Sequence, residues 1–204
     1  VKREIIKILS PGCIDEPEGL REHRPNYLMA AYEDPQEKRW VITVSDVSTG
    51  EFRLSSCLNI DQVLEQAYIF EPKELLIRRF ARPLFVKALQ KNPLVKILLT
   101  ELAEASLIRS SKKDALLTEI FGTLADFCQK IPSSHLLIQA VLTHYQMLKM
   151  NLKQFYRIDP FSEAKTMSLQ ETVLRDLEVF VTARERSVKG SLIGEINRTL
   201  TPMG

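Results

Sequence analysis

The amino-acid sequence predicts a mixed α/β sheet followed by a helical stretch, and three observations predict it. β-branched and aromatic residues are concentrated between Asn26 and Leu58, broken at intervals by turn residues. Short apolar runs then alternate with helical periodicity as far as Leu99. Beyond residue 110 only the helical rhythm remains. The 204 residues are 45% hydrophobic, enough for a core and too mixed for disorder.

Trp40-Val41-Ile42-Thr43-Val44 is the densest strand signal, with Tyr27 to Tyr32 and Glu51 to Leu58 as antiparallel neighbours. Glu33-Asp34-Pro35 and Ser48-Thr49-Gly50 carry the turn chemistry of a β-meander. Ile60, Val63, Leu64, Ala67 and Phe70 then recur at helical spacing, with Asn59 as N-cap and Pro72 just past the end. Leu75-Leu76-Ile77 reads as a strand buried on both faces. Pro83 opens a helix through Leu89 that Asn92-Pro93 stops, and Leu94 to Leu99 is a second buried run. Three antiparallel strands followed by strand–helix alternation predict an RNase H-like mixed sheet of five strands with flanking helices.

Ser111 with Asp114 has the form of a capping box, and Gly122 is a C-terminal stop. A long helix is expected from Ser133 or Ser134, with Leu137, Val141, Leu148, Leu152 and Phe155 along one face and Ile138, Leu142 and Tyr145 widening it. Leu169, Val173, Leu177, Phe180 and Val181 extend the apolar stripe into an all-α segment. The expected division is a linker over 1–17, an α/β domain over 18–132 and a helical segment over 133–204. Val1 in place of Met, and a last helical stripe with no visible partner, are expected of a chain cut from a longer one.

Composition narrows the function. Lys plus Arg number 28 against 26 Asp plus Glu, without the basic excess of an autonomous nucleic-acid binder. Cys13, Cys57 and Cys128 form no CxxC pair and no Cys/His cluster at ligand spacing, so neither a metal nor a disulfide framework is expected, and reduced thiols are. Nothing has the length or apolarity of a membrane span, nor the architecture of a signal peptide. There is no Gly-x-x-x-x-Gly-Lys-[Ser/Thr] phosphate loop, and no nucleophile–base pair can be argued from any Ser or Cys.

Several motifs, in order, resemble the MutS family of DNA mismatch-repair proteins. Val1-Lys2-Arg3-Glu4-Ile5-Ile6-Lys7-Ile8-Leu9-Ser10-Pro11-Gly12 is similar to the segment that leaves the mismatch-binding domain through a Thr-Pro-Gly-Thr turn. Asp46-Val47-Ser48-Thr49-Gly50-Glu51-Phe52 resembles the Asp-Leu-Ser-Thr-Gly-Glu-Phe signature of the connector domain. Glu71-Pro72-Lys73-Glu74-Leu75-Leu76 is similar to that domain's Pro-x-Glu-Ile-Leu step. Leu169 to Val179 and Asn197-Arg198-Thr199-Leu200-Thr201-Pro202-Met203-Gly204 resemble the opening of the core domain. Ser10 and Cys13 stand where threonines are usual, and Gln170 and Asp176 where Asp and Asn are.

The resemblance implies an internal connector segment with the start of the core, cytoplasmic and without catalysis of its own. It implies the remaining domains of the same chain, a homodimer partner, MutL and mismatched double-stranded DNA as partners. ATP and Mg are implied only for the family's ATPase domain, and no cofactor for this segment. The family's mismatch-sensing Phe-x-Glu finds one match, Phe161-Ser162-Glu163, in a Pro-Phe loop far from the N-terminus rather than on a fixed sheet edge.

Two residue groups remain as candidate sites. Asp46 and Gly50 read as structural turn residues, the carboxylate accepting from turn amides ahead of the glycine. The alternative is a metal-dependent RNase H-type nuclease with Asp46 as first carboxylate; Asp61, Glu65 and Glu101 would have to converge on it. Arg78, Arg79 and Arg82 surround Phe80 and could face DNA phosphates or an acidic partner, or simply charge a sheet-edge loop. His23, His135 and His144 do not converge in sequence, and a free-standing interaction module is a third reading.

Overall fold

The computed structural model describes residues 10–13, 25–91, 97–108, 110–122, 132–161 and 171–199. Among them, 10–13 with 25–161 make one compact unit and 171–199 another.

The first unit is built on a mixed sheet. Strands β1 (Leu28–Asp34), β2 (Arg39–Asp46) and β3 (Glu51–Cys57) form the expected antiparallel meander. Helix α1 (Ile60–Phe70) begins where Asn59 accepts a hydrogen bond from the Gln62 amide and ends at Glu71 in the left-handed region. It crosses to β4 (Glu74–Ile77), parallel to β1. A 3-10 turn over Arg79–Ala81 and helix α2 (Arg82–Lys91) lead to β5 (Leu98–Glu101), parallel to β4. Helices α3 (Ser111–Phe121) and α4 (Pro132–Met147) follow, and then β6 (Asp159–Pro160), a two-residue strand beside β3. The order is β5-β4-β1-β2-β3-β6, six strands rather than five.

Period-two alternation along the strands fills two cores. Met29, Ala31, Trp40, Ile42, Val44, Leu75 and Ile77 pack with Val63, Leu64 and Ala67 of α1 and Phe85 of α2. Leu28, Ala30, Tyr32, Val41, Phe52, Leu54 and Leu76 pack with Leu137, Ile138, Val141, Leu142 and Tyr145 of α4. Full burial of such side chains contributes about 1.5–3 kcal/mol each. Asp34 anchors the start of α4: its carboxylate accepts from the Ser133 hydroxyl at 2.5 Å and from the Gln36 and Glu37 amides at 2.8 and 3.2 Å.

The structure corrects several local expectations. Helix α4 stops at Met147, because Lys149 takes φ 58° and the Lys149 and Met150 amides turn back to Gln146 and Tyr145. Leu148 and Phe155 are buried all the same, brought in by the turn and by a 3-10 segment over Leu152–Gln154. The stretch expected to be wholly helical therefore contains β6 and the short helices α5 (Glu171–Asp176) and α6 (Leu192–Ile196). Strand β5 lies at the sheet edge, where Leu98 is 50% exposed, and the first part of its apolar run, 94–96, lies outside the described residues. Ser111 lies inside α3; Asp114 instead accepts from the Gln139 amide of α4 and sits 3.2 Å from His135 Nε2. Gly122 ends α3 at φ 68°, as expected. Asn92-Pro93, Cys128, Glu163 and Leu169 lie outside the described residues.

Candidate functional site

Strand register sets one end of the sheet. Leu28 of β1 pairs with Ser45 of β2 on one side and Glu74 of β4 on the other, and Ser45 pairs with Phe52 of β3. Glu74, Leu28, Ser45 and Phe52 therefore stand in one row across four strands. Leu28, Phe52 and Leu76, two residues along β4 from Glu74, all belong to the core beneath α4, so the row faces that helix.

The segment Ser10–Cys13 is strapped onto this row. A tight turn joins the Cys13 amide to the Ser10 carbonyl at 3.0 Å. A Cβ on Gly12 would sit 3.0 Å from the Glu74 Cβ and from a Leu28 methyl, so only a small residue lets the strap this close. Glu74 is 1% exposed; its carboxylate accepts from the Ser10 hydroxyl at 2.5 Å and the Gly12 amide at 3.3 Å. A buried carboxylate needs such donors.

Helix α4 supplies the other wall. Tyr145 is fully buried, its hydroxyl 2.9 Å from the Ser45 hydroxyl, and burial lifts its ionisation well above the ordinary phenol range. Its neighbour His144 brings an imidazole to Glu74 and Cys13: one ligand atom from each of the three lies within 4.8 Å of the others. His144 Nε2 is buried without a hydrogen-bond partner among the described residues, a situation that typically costs about 1–3 kcal/mol. Burial holds the imidazole below its ordinary value, against the opposing pull of the Glu74 charge. Burial likewise pushes the Cys13 thiol up to about 12. As it stands the thiol is a neutral, inert group.

Sequence spacing contained no signal for this cluster, since its members sit in a turn, a strand and a helix far apart in the chain. Only the strand register and the packing of α4 join them. His23 lies outside the described residues, and His135 pairs with Asp114 elsewhere on α4.

The candidate residues named from sequence sit in two other places. Asp46, fully buried at the end of β2, accepts from the Asn26 amide at 2.9 Å, the Ser48 amide at 2.8 Å and the Ser48 hydroxyl at 2.6 Å. Its own carbonyl receives the Gly50 amide at 2.9 Å, closing the turn. Gly50 has φ 77°, and a Cβ there would collide with the Gln154 carbonyl oxygen. Asp61 and Glu101 are exposed, and among the described residues no group of three potential ligands includes Asp46, Asp61, Glu65 or Glu101.

The basic loop is held by local contacts. Arg78 pairs with Glu104 at 3.0 Å and stacks over the rings of Phe80 and Tyr32. Arg82 donates to the Leu99 carbonyl at 3.2 Å and lies 3.9 Å from Glu101. Arg79 and Phe80 are exposed. No helix among the described residues is long and apolar enough to cross a membrane.

No protein-family model matches the chain. Individual relatives do. The chain is 25% identical to the DNA mismatch repair protein MutS of Caldanaerobacter subterraneus subsp. tengcongensis, 28% to that of Bacillus pumilus and 27% to that of Clostridium perfringens. Each match takes in 100% of this chain and only 22–24% of the relative's length. Throughout its length, then, this chain is similar to rather less than a quarter of a DNA mismatch repair protein MutS.

Proposed function

We propose that this chain is the connector segment, with the beginning of the core, of a MutS-type mismatch-repair protein. The carrying observation is the match of the whole chain to part of several MutS proteins. Two structural features support it. The Asp-x-Ser-Thr-Gly turn is a set of hydrogen bonds around Asp46 with a left-handed glycine at its end, the arrangement of a rigid corner. The strand order and the helices on both faces suit an RNase H-like scaffold.

In this reading the α/β body contributes position rather than chemistry. It moves as a rigid unit about its flanking segments when ATP and Mg bind a separate ATPase domain of the same cytoplasmic protein. That movement links mismatch recognition on double-stranded DNA to the core of a homodimer. One exposed face of the body forms part of the surface on which MutL lands. The exposed basic tip around Arg79 adds weak charge attraction, and Arg78 and Arg82 order that tip through their acidic partners.

The test is a nuclear magnetic resonance titration of the isotope-labelled chain with the N-terminal domain of MutL from the same organism. Resonances of one contiguous face of the α/β body should shift in proportion to added MutL. A titration that perturbs none of them removes the docking role.

A further inference from the structure

The cluster of Cys13, Glu74 and His144 is not used by the connector reading. Its donors are a thiol sulfur, a carboxylate oxygen and an imidazole nitrogen, all within 4.8 Å of one another and enclosed by the Ser10–Cys13 strap, β4 and α4. Hydrogen bonds already orient the carboxylate: the Ser10 hydroxyl and the Gly12 amide both donate to the same oxygen, Oε2. Such outer contacts aim a ligand and tune its basicity. His144 Nε2, by contrast, is buried with no partner among the described residues. The imidazole thus brings a nitrogen to the thiol and carboxylate while its Nε2 has no hydrogen bond to hold it elsewhere.

We propose that Cys13 Sγ, the Glu74 carboxylate and the His144 imidazole bind one divalent transition cation, with zinc the ion that best suits a sulfur–nitrogen–oxygen set. Tetrahedral zinc bonds of about 2.0–2.3 Å require donors about 3.3–3.8 Å apart, so the three side chains draw together by up to about 1.5 Å on binding. Water fills the fourth position. Calcium and magnesium are disfavoured, because hard ions prefer oxygen ligands and more of them. The consequence is mechanical: the ion bonds the strap that enters the domain to a central strand and to the helix covering it. The joint is then tightened by metal rather than by packing alone, and the thiol proton leaves as the Cys13–metal bond forms.

The experiment titrates the metal-free, reduced 204-residue chain with cobalt(II) and follows visible and near-ultraviolet absorption. The expected result is one equivalent of cobalt with a tetrahedral d–d band and a thiolate-to-cobalt charge-transfer band, both lost when zinc is added. Cys13→Ser should abolish the charge-transfer band, and His144→Gln should weaken zinc binding by at least about 100-fold. Cys57→Ser and Cys128→Ser should leave both spectra unchanged. Circular dichroism checks that each variant is folded; should Cys13→Ser not fold, the affinity of His144→Gln decides. The proposal is overturned if the parent chain gives no cobalt spectrum at millimolar metal, or if the spectrum and zinc affinity survive His144→Gln.

Discussion

Replacing Asp46 by alanine separates a corner residue from a catalytic one. The substitution removes the acceptor of three hydrogen bonds, from the Asn26 amide, the Ser48 amide and the Ser48 hydroxyl, while the backbone bond from Gly50 to residue 46 stays. The bond to the Asn26 amide is buried, so that N–H loses its partner, at a cost of about 1–3 kcal/mol. The two donors on Ser48 are part-buried and can turn to water, at about 0.5–1 kcal/mol each. The sum is a loss of roughly 2–5 kcal/mol, a large share of the stability of an ordinary domain. Trp40, the single tryptophan, lies 5% exposed in β2 and reports on this unit. Urea unfolding followed by its fluorescence should show the midpoint falling by about 1–2.5 M, for a slope near 2 kcal/mol/M. Asp46→Asn, which keeps one acceptor oxygen, should fall in between. A midpoint shift below about 0.25 M for Asp46→Ala would refute the structural account. So would magnesium-dependent cleavage of an RNA–DNA hybrid by the parent chain that the variant lacks.

Gly50→Ala forces a side chain into the left-handed region and against the Gln154 carbonyl. A loss of about 2–4 kcal/mol in the same assay is expected, and a neutral result would mean that the 152–154 segment moves aside freely. Asp34 provides a pH test. Burial pushes its carboxyl up, but hydrogen bonds from Ser133, Gln36 and Glu37 outweigh that and hold it below the usual carboxylate range. Its folded value thus lies beneath the unfolded one, so its contribution is whole above the ordinary carboxyl value of about 3.9 and fades as pH falls below it. Asp34→Asn should be less stable than the parent at neutral pH, and urea midpoints measured from pH 7 downward should converge in acid.

Much of the sheet was legible because alternation is a local property. Met29 and Ala31 on one face and Leu28, Ala30 and Tyr32 on the other follow from period two alone. Asn59 and Gly122 were legible for a similar reason: a cap and a stop act on their own backbone neighbours. Where α4 would stop was not. Leu148, Leu152 and Phe155 continue the helical spacing, yet Leu148 and Phe155 reach the core by a left-handed turn and a 3-10 segment. Apolar spacing cannot distinguish those routes, since burial rewards the side chain's final position and not the path of the backbone. The buried reading of β5 failed because an apolar run does not say which strand takes the edge.

By itself the sequence determined the α/β class, the meander, the turn chemistry of Asp46 and Gly50, and the likeness of the whole chain to part of MutS. Tertiary structure alone decided that Cys13, Glu74 and His144 meet, that Asp34 and Asp114 hold α4 in place, and that β6 adds a sixth strand. The difference is one of range. Turns, caps and alternation depend on residues a few positions apart, whereas a cluster drawn from a strap, a strand and a helix exists only once register and helix packing have closed the distance between them.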